Sequence, residues 1–200
     1  MEIKSWTGMV YGLLALLAAS LACSFSGSTD LTSRGEQQKF NQAGFSFAPP
    51  AGTSVSDLGI FGVVVKAPNV EMAGDEILGP ACTASTTERA GLKASQQNFW
   101  IERSATVKVN YGLLLSDAQV TSAAGQFALA GEVNGNYLAS VDPKGRAAYG
   151  KLLVISINEK RMFDLMCLGL ANRKAETASL FDKLKASVNF YDPVIPTLQK

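Results

Sequence analysis

The sequence predicts an α+β domain in which a β-sheet with a central hairpin covered on both faces is packed by amphipathic helix. Two stretches carry the sheet half of that prediction. Leu152 to Ile157 (LLVISI) and Met162 to Leu168 (MFDLMCL) are apolar at both alternating positions and flank a short polar turn around Asn158-Glu159-Lys160. A strand wet on one side alternates apolar with polar residues, so two such runs in a row describe a hairpin buried on two sides. The third observation is the segment Lys174 to Ser187, where Leu180, Phe181 and Leu184, continued by Val188, form one helical stripe that must dock on the sheet. At 200 residues one domain is the default, with enough chain to bury a true core.

From the N-terminus, Met9 to Ala22 (MVYGLLALLAASLA) is free of charge, follows Lys4 and ends in small residues before Cys23. This is the layout of a secretory signal, shorter than the ~20 apolar residues a permanent membrane span needs. Ser20-Leu21-Ala22-Cys23 resembles the lipobox of bacterial lipoproteins, in which the cysteine is lipidated and becomes the first mature residue. Ala22 and Cys23 fit that pattern, while Ser20 and Leu21 stand in reverse order to it; Ser20 and Ala22 also suit an ordinary signal peptidase, which would cut the same bond. The expectation is removal of residues 1–22, lipid on Cys23, and a tether over 23–43, a stretch rich in Ser, Gly, Gln and Thr.

The folded domain is then expected over 44–191, followed by a tail at 192–200. Gly44 to Phe47 is a short strand stopped at Pro49-Pro50, and Ile60 to Lys66 is a second strand ahead of Pro68. Gly79 to Arg89 alternates weakly and places Cys82 in or beside a strand. Ala90 to Arg103 has no proline and gathers Leu92, Phe99 and Trp100 on one helical side, with the aromatic pair expected in the core. Val107 to Leu115, Gln126 to Val133 and Tyr137 to Val141 predict strands, and Asp142-Pro143-Lys144-Gly145 a turn. Asn172 is the expected N-cap of the last helix, and Val188 to Tyr191 a closing extended segment.

The cysteines divide by position. With Cys23 acylated, Cys82 and Cys167 remain as an even pair in an oxidising compartment, where a disulfide can persist. The alternative is two small buried hydrophobes, since sequence alone does not bring two α-carbons together.

A family resemblance rests on particular residues. NQAGFSFAPPAG, GKLLVISINEKRMFDLMCLG and LFDKLKASVNF are similar to the start and finish of PsbP-like and DcrB-like domains, with Phe163-Asp164-Leu165, Phe181-Asp182-Lys183, Ser187 and Phe190 at the matching positions. Residues 69–120 depart freely, and Thr53 stands where an aromatic is usual. The resemblance implies a largely antiparallel sheet between helices, an α/β/α sandwich, and a non-catalytic domain often found in exported lipoproteins.

The sequence points away from several chemistries. The chain has no histidine, which removes Ser-His-Asp and Cys-His mechanisms, and it lacks GxSxG, GxGxxG, Walker A and HExxH signatures. No cofactor or metal site is expected. With 18 basic and 17 acidic side chains there is no basic footprint for nucleic acid. Asp75, Glu76 and Glu88 predict solvated surface charge, Lys183 and Lys185 face water, and Asp164, inside an apolar strand, is either a sheet-edge or hydrogen-bonded structural carboxylate or an acid in a cleft. The expected function is that of an extracytoplasmic lipoprotein, anchored at the outer face of the cytoplasmic membrane or at the outer membrane. It would act as an accessory or assembly factor for a membrane-associated complex whose protein partner the sequence does not name. The alternative is a carrier of a small apolar ligand held between the sheet and the helix bearing Phe99 and Trp100.

Overall fold

A computed structural model describes residues 31–88, 96–158 and 160–193. Its main sheet is antiparallel throughout and is built from β1 (Leu31–Thr32), β4 (Ser54–Asp57), β5 (Val63–Ala73), β6 (Glu76–Glu88), β7 (Leu114–Leu115), β8 (Gln119–Ala123), β9 (Gln126–Asn136), β10 (Ala147–Ser156) and β11 (Arg161–Leu170). The spatial order is β1-β4-β5-β6-β11-β10-β9-β7, with β8 also paired to β9. A second, three-stranded sheet orders β12 (Asn189–Phe190), β3 (Phe45–Phe47) and β2 (Gln38–Phe40). The helices are α1 (Gln96–Tyr111) and α2 (Lys174–Ser187).

The predicted hairpin is β10–β11, and it lies at the centre. Leu153 pairs with Leu165 and Ile155 with Phe163. Along the two strands successive side chains turn to opposite faces. Leu153, Ile155, Phe163, Leu165 and Cys167 join the core beneath α2, while Leu152, Val154 and Met162 join the core beneath α1. Helices therefore cover both faces, as an α/β/α arrangement requires.

Beneath α2 the packing is aromatic. Phe40, Phe45 and Phe47 of the small sheet meet Phe163, with Phe45 and Phe163 edge to face at 5.2 Å and Phe163 and Phe190 at 5.1 Å. The Arg161 guanidinium, buried at the start of β11, donates to the carbonyls of Gly44 and Tyr191 and so ties the small sheet to the large one. Beneath α1, Phe99, Trp100 and Val107 face the sheet, and the Trp100 ring lies so close over Gly131 that a β-carbon there would touch it at 2.9 Å.

Several expectations change. Chain pairing starts before residue 44: β1 pairs with β4, β2 pairs with β3, and Phe40 and Ala43 are buried, so residues 31–43 belong to the folded domain and not to the tether expected over 23–43, whose residues before Leu31 lie outside the described residues. Of the strand expected at Val107 to Leu115 only Leu114 and Leu115 are extended, as β7; Val107 to Tyr111 is the end of α1, because Val107 continues the helical face of Phe99 and Trp100 while Val109 is left 72% exposed. Gly112 stops that helix with φ +76° and an N–H donated to the Lys108 carbonyl. β5 begins at Val63 and runs past Pro68 to Ala73 through a register irregularity, rather than spanning Ile60 to Lys66. Tyr137 to Val141 is a turn in which Val141 and Asp142 both donate to the Leu138 carbonyl. Asn172 does not cap α2; it sits in a short 3-10 turn, and the position before the helix is Arg173. Lys183 is exposed as expected, but Lys185 reaches β8 and donates to the Thr121 hydroxyl at 3.0 Å.

Candidate functional site on the α1 face

Of the three cysteines, Cys23 lies outside the described residues. Cys82 and Cys167 oppose each other on β6 and β11, with α-carbons 4.0 Å apart, and are joined as a disulfide across 85 residues of sequence. This cross-link faces the aromatic core beneath α2.

Asp164 points the other way. It is buried in β11, an inner strand flanked by β6 and β10, and its Oδ1 accepts from the Arg103 guanidinium at 2.8 Å and from the Ser85 hydroxyl at 2.8 Å. Arg103 also lies over the Phe99 ring at 4.6 Å. These contacts satisfy the carboxylate and pin the middle of α1 to the sheet, so Asp164 is a structural group. Sequence alone marks the acid but not its partner, which is 61 residues away.

Because α1 lies over β7, β9 and β10, the sheet surface on its other flank is left uncovered. A groove of about 350 Å³ opens there. Val64, Ala81, Met166 and Leu168 form its floor, Tyr111 at the end of α1 forms one wall, and Asp75 and Glu76 from the β5–β6 turn form the rim. Burial, with the Glu76 carboxylate nearby, pushes the Tyr111 phenol up, so it stays protonated. No lysine or arginine lines the groove. Asp75 and Glu76 are thus surface charges, as expected, but they border an apolar groove. Among the described residues no group of His, Cys, Asp and Glu side chains is placed to hold a metal ion, and no helix is long and apolar enough to cross a membrane.

Beyond the groove, the 142–146 turn is fixed by charge. The Asp142 side chain accepts from the backbone N–H groups of Lys144 and Arg146 and from the Arg146 guanidinium at 2.8 Å, and Arg146 also pairs with Glu71 of β5. The Arg146 hydrogen bond, followed by those backbone donors, holds the Asp142 carboxyl down at about 2.

No protein-family model matches the chain, and no curated protein matches it in sequence. Solved structures do. Cyanobacterial PsbP (CyanoP) from Synechocystis sp. PCC 6803 superposes with a TM-score of 0.52 at 17% identity, over 84% of this chain and 97% of that one. The fold is PsbP-like. LpqN of Mycobacterium tuberculosis, a protein involved in cell envelope biogenesis, superposes with a TM-score of 0.55 at 11% identity, over 88% of this chain and 96% of that one. At these identities the likeness is one of fold. The PsbP-like arrangement accounts for the end-specific character of the sequence resemblance: FSF is β3 at the centre of the small sheet, and RMFDLMCLGL is β11 at the centre of the large one. The divergent stretch, residues 69–120, supplies the rim, wall and part of the floor of the groove.

Proposed function

We propose that this protein is exported, lipidated on Cys23, and serves outside the cytoplasm as a non-catalytic accessory or assembly factor for a membrane-associated complex. The observation that carries the reading is the uncharged run Met9 to Ala22 ending at Ala22-Cys23, placed directly ahead of a PsbP-like domain. The envelope role given for LpqN supports the location, and the lack of histidine and of catalytic signatures supports binding over catalysis. The intact mass of the protein from its native membrane, compared with Cys23→Ala, is the deciding measurement. The expected result is loss of residues 1–22, added acyl mass on Cys23 and no free thiol; an unmodified Cys23 in the wild type rejects the anchor. Extraction in mild detergent is expected to recover a stoichiometric protein partner, and repeated recovery of the chain alone rejects the accessory role.

A second reading, a carrier of a small apolar ligand, is favoured by the groove between α1 and the β5–β6 hairpin. It differs from the sequence expectation in place: Phe99 and Trp100 are packed in the core, and the concavity lies at the other end of their helix. Native mass spectrometry that finds no retained small molecule removes this reading.

A further inference from the structure

The turn between β4 and β5 presents an unusual surface for a chain with so complete a core. Its sequence is Gly59-Ile60-Phe61-Gly62, and Ile60 and Phe61 stand 58% and 63% exposed side by side. The turn is built, not loose. Asp57 Oδ1 accepts from the Gly59 N–H at 2.8 Å, Leu58 N–H donates to the Gly62 carbonyl at 2.8 Å, and a side chain at Gly62, where φ is +109°, would run into the Ala84 carbonyl of β6. Two large apolar side chains are thus held outward on a fixed knob.

Strand registers show what else lies at this end of the sheet. The chain passes Leu31 opposite Val55 and Thr32 opposite Ser54, so it arrives in β1 from the side of the β4–β5 turn. The β8–β9 turn lies at the same end, through the pairings of Val63 with Ala84, Leu165 with Ala84 and with Leu153, and Leu153 with Ala130, and it carries Phe127 at 56% exposure. Among the described residues, the exposed charges there include Asp57, Glu88 and Lys160, of both signs.

We infer that this end of the domain rests on a lipid bilayer, with Ile60 and Phe61 inserted at the acyl-chain boundary and Phe127, four strands across the sheet, meeting the same surface. The orientation rests on lipid attachment at Cys23, as proposed above. Only seven residues lie between Cys23 and Leu31. Fully extended, the eight steps from one to the other span about 28 Å. The knob lies roughly 10 Å past Leu31 in the direction from which the chain comes, so it meets the membrane with the tether slack. Turning the opposite end down would leave the tether almost taut along the sheet, because Leu31 lies level with Val65 through Val55 and β5 continues from there for eight residues, roughly 26 Å, to Ala73. Mixed charge at the contact makes apolar insertion, not attraction to anionic lipid, the source of the contact.

The test uses the full chain as isolated from its membrane and reconstituted in phosphatidylcholine vesicles, plain or brominated on the acyl chains. Phe61→Trp is expected to show blue-shifted fluorescence that brominated lipid quenches, above the signal of the wild type, whose Trp100 is in the core and whose Trp6 lies in the segment 1–22 expected to be removed. Ile60→Ser/Phe61→Ser in the Cys23→Ala background is expected to bind vesicles about tenfold more weakly than Cys23→Ala alone, with an unchanged melting temperature because both side chains are exposed. Acyl mass on Cys23 with unquenched Phe61→Trp overturns the membrane contact and leaves the anchor standing. Quenching without acyl mass rejects the anchor and keeps the contact. Vesicle binding that Ile60→Ser/Phe61→Ser leaves intact, or protection of the knob by a protein partner instead of lipid, overturns the inference.

Discussion

The two faces of the central sheet are closed by different means. Beneath α2, phenylalanines from β2, β3, β11 and β12 interlock with Leu180, Phe181 and Leu184, and a disulfide joins β6 to β11 under them. Beneath α1, the helix covers part of the sheet, is held by a buried Arg103–Asp164 pair and leaves a groove beside it. Apolar packing is non-directional and tolerates no gap, so the first face is filled; an ion pair fixes one point of a helix and permits open sheet next to it. A filled core and an open groove are thereby separated onto opposite sides of the same strands.

That contrast is broken first at the disulfide. Replacing both cysteines, Cys82→Ala with Cys167→Ala, frees an 85-residue loop and is expected to cost about 4 kcal/mol in urea unfolding, with the groove still able to retain whatever it binds. A loss under 1 kcal/mol would mean the aromatic core alone holds this face. On the other side, Arg103→Met leaves Asp164 buried with only Ser85 and should cost about 2 kcal/mol, less than a fully buried pair because Arg103 is 28% exposed. Arg103→Met with Asp164→Leu should recover most of that loss, whereas an equal loss in the double variant would show that the pair is worth more than its apolar replacement.

The smallest expected effect is in acid. Asp142 titrates at about 2 in the folded protein against 3.8 for an ordinary aspartate. Its contribution is therefore complete above the ordinary value and is lost as the pH falls toward 2. Unfolding followed between pH 5 and pH 2 should show a shallower acid limb in Asp142→Asn than in the wild type; parallel limbs would remove the 142–146 turn from the acid response.

The central hairpin was legible in the sequence because burial on both faces leaves no polar alternation between Leu152 and Leu168. The end of α1 was not, since Val107, Val109 and Tyr111 also alternate and Val is at home in strands; what decides is the packing of Val107 with Phe99 and Trp100, a tertiary fact. Cys82 and Cys167 could be counted as a pair, but their opposition depends on the register of two strands from distant parts of the chain. The groove left no signal, because each element gives it one or two ordinary residues. Ile60 and Phe61 suggest a strand by composition, and the glycines on either side exclude them from it.

The pairing of β6 with β11 also governs when this domain can form. The two halves of the large sheet, β1-β4-β5-β6 and β10-β9-β7 with β8, are not joined until β11 has been made, and the small sheet closes only when Phe190 reaches Phe45 and the Tyr191 hydroxyl donates to the Phe45 carbonyl, 146 residues apart in sequence. Contacts so distant along the chain are slow to form. A nascent chain of this topology stays open for most of its synthesis, the state in which a polypeptide can be threaded through a membrane channel before it folds.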